Sequence, residues 1–405
     1  MNAKVMSWIE NSADKVVELE SLLTSIPAIA PESGGQGELD KAIALEKWLR
    51  ANGITDIVHM DAKDSRVPSG VRPNMVATIP GKDDNARLWI MAHLDVVPEG
   101  ERSLWKTDPW KVVVKDGIMY GRGVEDNQQG LVSGVMTALG FLKQGIVPER
   151  TIKLLFVADE EVGSKFGIQH IIDNYDIFKK GDLIVIPDGG SVDATEIEVA
   201  EKNICWLKVI TKGQQTHAAM PDKGNNAFLA ASDLVLRIHS LEKSVFTARD
   251  PLFSPDRTTI NPTKKEANVP NVNTIPGEDV FYVDMRILPQ YPVDMALAEV
   301  RRQCEAIEKE YGVKVELEIL QANESRATPA DAPVVLALKK AVKEVYGVDA
   351  KPIGIGGGTV GAYLRKAGFD CVVWCKIEDM AHQPNESAHI ANAIGDAKVF
   401  AVLAG

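Results

Sequence analysis

Three apolar runs of strand length in this chain each stop on acidic or imidazole side chains. RLWIMAH ends at His93, TIKLLFVADEE at Glu160 and Glu161, and DLIVIPDGG at Asp188. Continuous apolar runs of this length read as strands buried on both faces, and strand C-termini in an open α/β sheet line one crevice. Charge placed there is costly unless it is paired or bound to metal. GRGVEDNQQG adds Asp126, MAHQPNESAHI adds His382 and Glu386, and Asp95 stands two residues beyond His93. Taken singly, His-x-Asp is a common surface accident, Glu-Glu a common solvated pair, and Asp188 before two glycines a plausible turn residue. Their coincidence at the ends of three strands of one expected sheet favours a metal site.

A two-metal hydrolase needs imidazole or carboxylate ligands for each ion, a carboxylate bridging them and an open position for water. It also needs a further carboxylate to take the proton from that water. The residues above supply each type. Adjacent side chains at a strand end point in different directions, so one of Glu160 and Glu161 can ligate while the other faces water. Asp95 can reach back to the imidazole N–H of His93 and orient it.

Helical periodicity covers about Asp14 to Leu23 and Glu38 to Asn52, where Gly53 suits a C-terminal cap. NMVATIPG and ARLWIMAH read as strands separated by the turn GKDDN; a helix from Gly130 to Gly145 and the strand TIKLLFVAD follow. Strands alternating with helices imply a doubly wound, mostly parallel sheet: an α/β catalytic domain. Near Glu201 the pattern changes. CWLKVITKG alternates like a half-exposed antiparallel strand, and NNAFLAASDLVLRIHSLEK is a long amphipathic helix. A turn-rich stretch, FSPDRTTINPTKKEANVPNVNTIPGE, precedes the strand DVFYVDMRILP, a helix from Pro292 to Tyr311 and the strand VKVELEIL. This is the β-α-β-β-α-β order of an inserted ferredoxin-like α+β domain. The expected organisation is a catalytic domain in two segments, 1–202 and 321–405, interrupted by the insert over 203–320.

A net charge of -12 with no Lys/Arg-dense stripe argues against nucleic acid as a partner. No apolar stretch approaches the roughly 20 residues that span a bilayer, and the N-terminus lacks a basic region followed by an apolar core. The four cysteines, Cys205, Cys304, Cys371 and Cys375, are too few for a disulfide scaffold. Cys371 and Cys375 bracket a buried strand and stand too far apart for an easy bridge, so a cytoplasmic protein is expected. GIGIGGG is no dinucleotide fingerprint, since it lies late in the chain and lacks the spacing and the acidic partner. His59, His170 and His239 stand in segments without other candidate ligands, and His389 is either a supporting residue near Glu386 or simply exposed.

HLDVVP, YGRGVEDNQQG, DEEVGS, IPDGG and the late His382 occur in the order of a known family. The chain resembles, almost end to end, the co-catalytic dizinc peptidases and deacylases. These include acetylornithine deacetylase, succinyl-diaminopimelate desuccinylase, aminoacylase, carboxypeptidase G and carnosinase. The resemblance implies two divalent ions, zinc first, with cobalt or manganese also suitable. His93 and Asp188 would hold one ion, Glu161 and His382 the other, and Asp126 would bridge. Glu160 would be the general base that later protonates the leaving amine. It further implies that the insert is a lid that forms a homodimer, and that His217 in KGQQTHAAMPDKGNNA steadies the oxyanion, often from a partner subunit. Asn273 and Arg286 would hold the substrate's carboxylate, joined by backbone N–H groups of Gly357, Gly358 and Thr359. Plainer readings stand beside these: His217 as a turn histidine, Asn273 as a loop cap, and Arg286 as a partner of Asp284 or Asp294.

The substrate signals divide. Desuccinylase-like members carry a Thr-Ser-Asp-Gly turn where this chain has Gly-Gly-Gly-Thr-Val-Gly, and Asp at 188 matches dipeptidase and aminopeptidase branches. The compact lid matches deacylases. The expectation is a metal-dependent deacylase of small N-acyl amino acids, with a dipeptidase or aminopeptidase as the alternative. A non-catalytic binding protein on this scaffold would be expected to lack the base, and Glu160 is present.

Overall fold

A computed structural model of the chain describes residues 2–405. It contains two compact units, described in turn. The first comprises residues up to Val199, Thr328–Ile353 and Thr359–Gly405; the second is Ala200–Ala327 with Gly354–Gly358.

The first unit is built on the sheet that the apolar runs imply. Four of its strands are parallel: Arg150–Val157, Asp83–His93, Leu183–Ser191 and Cys371–Lys376, adjacent in that order. Antiparallel strands flank them. Met75–Ile79 and then Ile57–His59 lie beyond Arg150–Val157, and Glu196–Glu201 lies beyond Cys371–Lys376. The sheet is mixed α/β and mostly parallel at its centre. One face packs Trp89, Met91, Leu155, Ile184, Ile186 and Val373 against Ile168, Ile171 and Leu364 from the helices Ile168–Asn174 and Gly361–Lys366. Alternate residues of the same strands face the helix Gln128–Lys143, which is buried from Gln128 through Phe141. Two glycines seat that helix. A Cβ on Gly134 would lie 2.9 Å from Ile90, and one on Gly130 only 2.2 Å from the carbonyl oxygen of Pro187. The close approach brings the helix N-terminus beside Asp188.

The second unit has the β-α-β-β-α-β order, with Asn203–Lys212, Ala227–Ser244, Thr259–Lys265, Glu278–Ile287, Val293–Tyr311 and Lys314–Asn323. Its antiparallel sheet runs Thr259–Lys265, Glu278–Ile287, Asn203–Lys212, Lys314–Asn323. Leu207, Val209, Phe281, Val283 and Met285 pack beneath Leu234, Ile238, Leu297 and Val300 of the two helices.

Two expectations are corrected. The stretch read as turn-rich contains the edge strand Thr259–Lys265, whose polar, exposed side chains and Pro262 hide it from a hydrophobic pattern. Proline is admissible there because an edge strand needs only half its ladder, and the register shifts at that point. The turn GKDDN is shorter than expected: the strand already begins at Asp83, with an irregularity between Asp83 and Arg87. No helix among the described residues is long and apolar enough to cross a membrane. All four cysteines are buried, and none of them forms a disulfide.

Candidate metal centre

His93 is the last residue of its strand, and its side chain is buried. Its Nδ1 lies 2.9 Å from the backbone oxygen of Asp95, which can only accept, so Nδ1 carries the proton. Nε2 is thereby turned toward Asp126 Oδ1 at 3.0 Å and Asp188 Oδ1 at 3.4 Å. The Asp95 carboxylate, expected to orient this ring, stands further off at 3.5 Å. Its main partners are elsewhere: it accepts from the backbone N–H of Glu160 at 3.1 Å and of Glu161 at 3.0 Å.

Those two glutamates do not diverge through strand pleating. They sit on a short 3-10 turn, Glu160–Val162, entered through Asp159 in a left-handed conformation at φ 70. Asp159 is held by Arg72 at 3.1 Å and by the N–H of Phe166 at 2.8 Å, and Arg72 is itself paired with Glu38 in the interior. The turn is thus gripped from behind by Arg72 and from the side by Asp95.

His382 supplies the second imidazole from a loop. Its Nε2 lies 3.1 Å from Asp126 Oδ2 and 3.0 Å from Glu161 Oε2. Asp126 therefore offers one oxygen to each imidazole. Two groups result, His93–Asp126–Asp188 and Asp126–Glu161–His382, each with ligand atoms within 4.8 Å of one another, and they share Asp126.

The electrostatics describe a cluster short of positive charge. Burial, then the charge of Asp188, raises the Glu160 pKa well above its ordinary value. Burial likewise raises Glu161 and Asp188. Burial opposes charge on His93, yet Asp188 and Asp126 raise its pKa well above normal. Hydrogen bonds to Asp126 and Glu161 raise His382 to about 10. Burial works against an ionised Asp126, but the two imidazoles hold it well below the carboxylate range. One buried oxygen of Glu161, Oε1, has no hydrogen-bond partner. Nitrogen and oxygen donors around a shared carboxylate, with an unsatisfied buried oxygen beside them, fit divalent metal binding.

The remaining candidate residues are spread over the two units. Thr359 belongs to the first unit; His217, Asn273, Arg286, Gly357 and Gly358 belong to the second. His217 lies in the strand Thr216–His217, paired with Thr274–Ile275, and the N–H of Ala218 donates to the carbonyl of Asn273. His217 is exposed, and its Nδ1 accepts from the N–H of Ala219 at 3.0 Å, so a neutral ring carries its proton on Nε2. The Asn273 side chain accepts from Asn271. Arg286 makes the plainer pairing, with both Asp284 oxygens at 2.8 and 3.0 Å, while a third donor reaches the carbonyl of Gly356 at 2.8 Å. Gly356, Gly357 and Gly358 are required neither by a left-handed φ nor by a close protein neighbour, so their backbone is open to approach.

Three supporting residues escaped the sequence reading. Asn127 accepts from the N–H of His93 at 3.2 Å and donates to the Pro187 carbonyl at 2.6 Å and to Asp188 at 2.8 Å, so one amide fixes both. Arg122 pairs with Glu386 at 2.7 Å in the interior. Arg72 anchors Asp159. Asn127 alone had a signal, its place directly after Asp126 at the start of a helix.

The profile of Peptidase family M20/M25/M40 matches residues 89–404. The chain is 38% identical to an uncharacterized metallohydrolase of Methanocaldococcus jannaschii, over 96% of this chain and 98% of that protein. It is 25% identical to succinyl-diaminopimelate desuccinylase 2 of Ruegeria sp., over 86% of this chain and 84% of that protein. Among solved structures, the aminopeptidase PepT of Bacillus cereus superposes with a TM-score of 0.77 at 18% identity, covering 96% of this chain and 97% of that one. The chain belongs to Peptidase family M20/M25/M40 and is a metal-dependent hydrolase of amide or peptide bonds.

Proposed function

We propose that the protein is a dizinc hydrolase that removes the acyl group from a small N-acyl amino acid bearing a free carboxylate. The observation that carries this reading is Asp126, whose two oxygens face the two imidazoles. His93 and Asp188 would hold one ion and Glu161 and His382 the other, with Asp126 between them. Bound there, the ions would polarise the amide carbonyl and lower the pKa of water.

The chain's own groups do the rest. Glu160 is unligated in this scheme; it takes a proton from the attacking water and returns it to the departing nitrogen. Its place beside Glu161 on the turn that Asp95 fixes supports that role. Nε2–H of His217 donates to the developing oxyanion. Asn273, Arg286 and the backbone of Gly357, Gly358 and Thr359 bind the substrate carboxylate, the glycine backbone being bare enough for a ligand to approach.

A homodimer through the second unit accompanies this reading. It is supported by Phe228, Leu229 and Leu236, large apolar side chains exposed on the helix Ala227–Ser244. We assign the protein to the cytoplasm, a reading supported by four buried cysteines that form no disulfide. A dipeptidase or aminopeptidase is the second reading. It is favoured by Asp at 188 and by the similarity to the Bacillus cereus aminopeptidase.

Elemental analysis together with hydrolysis of N-acetyl amino acids, N-succinyl amino acids and dipeptides tests the proposal. Two ions per chain with turnover of the acylated compounds supports the deacylase; an absolute need for a free α-amine selects the peptidase. A protein that takes up no metal from zinc or cobalt would overturn both.

A further inference from the structure

His382 sits on a backbone that no regular structure supports. Residues 377–386 lie outside every helix and strand, and three non-glycine residues there are left-handed: Asp379 at φ 60, His382 at φ 62 and Asn385 at φ 63. Such residues are strained and persist only where their surroundings over-determine them. The His382 side chain is 54% exposed, so core packing does not fix it.

Arg122 reaches the His382 carbonyl at 3.5 Å and Asn385 bonds to Leu104 and Lys106, and beside these contacts a pair of buried carboxylates cross between the loop and the turn 122–126. Glu386, at the far end of the loop, accepts from the N–H groups of Gly123 at 2.9 Å, Glu125 at 2.9 Å and Asp126 at 3.1 Å. Glu125 runs the other way. Its Oε2 accepts from the N–H of Glu378 at 2.6 Å, and its Oε1 accepts from that of Met380. Turn and loop are thereby clasped at both ends, and Glu125 is the only carboxylate joining the turn to the near end of the loop among the described residues. Its neighbour in sequence is Asp126. One dipeptide thus presents the shared carboxylate on one side and restrains the loop bearing His382 on the other.

We propose that Glu125 is a positioning residue for His382, setting the loop so that Nε2 meets Asp126 and Glu161 around a second cation. The inference rests on the two-cation reading above. It predicts a selective effect, because His93 and Asp188 are held independently by Asn127 and by the Asp95 carbonyl.

The test is a zinc titration of metal-free wild type, E125A and E125Q, followed by calorimetry, with the melting of each metal-free protein as a check on folding. Wild type is expected to bind two ions. In E125A one ion keeps its affinity and the other binds 10- to 100-fold more weakly, the range typical of losing a residue that orients a ligand. E125Q keeps the side chain's size and one acceptor oxygen, and falls between; if E125A does not fold, E125Q carries the comparison. Unchanged affinities in the folded variants, or equal weakening at both sites, would overturn the role of Glu125 while leaving the two-cation reading intact. A wild type that binds fewer than two ions would overturn that reading, and this inference with it.

Discussion

The Asp95 carboxylate accepts the backbone N–H of Glu161 at 3.0 Å, and its other oxygen accepts that of Glu160. One acid on the first strand end thus sets the turn that presents both glutamates of the second. It is buried, and ionic contact with His93 and these two hydrogen bonds outweigh desolvation to hold its pKa below the ordinary value. Asp95→Asn puts an amide donor against one of those N–H groups while preserving volume. Turnover should fall on the order of 10- to 100-fold, with weaker binding of the ion at Glu161. Steady-state kinetics and zinc titration of the variant check this; unaltered values for both would mean that the turn holds itself.

Glu160→Ala should retain both ions and lose turnover by about 100-fold or more, the contribution of a positioned proton-transfer group. His93→Ala, by contrast, should lose metal. Elemental analysis alongside kinetics separates the two, and full activity in Glu160→Ala would remove it from the mechanism.

His217 has its Nδ1 occupied by Ala219, leaving Nε2–H to donate. His217→Ala should lower turnover on the order of 100- to 1,000-fold, as for loss of one oxyanion donor. Mixing it with inactive Glu160→Ala should restore some of the activity through mixed dimers. Complementation absent at every mixing ratio would place the residue's action within its own subunit.

Asp396 is buried behind the sheet, accepting from Tyr346 at 2.8 Å, the N–H of Lys376 at 3.1 Å and Gln129 at 3.2 Å. Burial outweighs these partners and pushes its pKa up to about 7. Because the folded value lies above the unfolded one, about 3.9, its contribution to stability is complete below about pH 4 and is lost as pH rises through 7. The stability of Asp396→Asn relative to wild type should therefore rise by about 4 kcal/mol as pH goes from about 4 to 8. Urea unfolding at several pH values reads the difference; parallel curves would show that Asp396 does not titrate in this window.

The strand ends carrying His93, the Glu160–Glu161 pair and Asp188 were legible because an apolar run that stops on a charge is a local pattern. Asp126 and His382 carry no such pattern; residue type put them among the candidates, and the ordered resemblance of whole segments gave them their roles. The supporting groups were not legible. Arg122 meets Glu386 across 264 positions of sequence, and Asn127 meets Asp188 across 61, so nothing near either residue announces its partner. The edge strand Thr259–Lys265 was hidden for another reason: it buries little, so hydrophobic alternation never arises.

The strand Cys371–Lys376 lies between Leu183–Ser191 and Glu196–Glu201, two strands that are near neighbours in sequence. During synthesis both have emerged about 170 residues before the segment that separates them. Until it arrives, the sheet holds a vacant slot flanked by the apolar edge Ile184, Val185 and Ile186. A ribosome-bound chain would leave that edge unpaired throughout translation of the inserted unit. The chain just beyond the strand Cys371–Lys376 carries His382, so the group Asp126–Glu161–His382 is incomplete until that strand has been made.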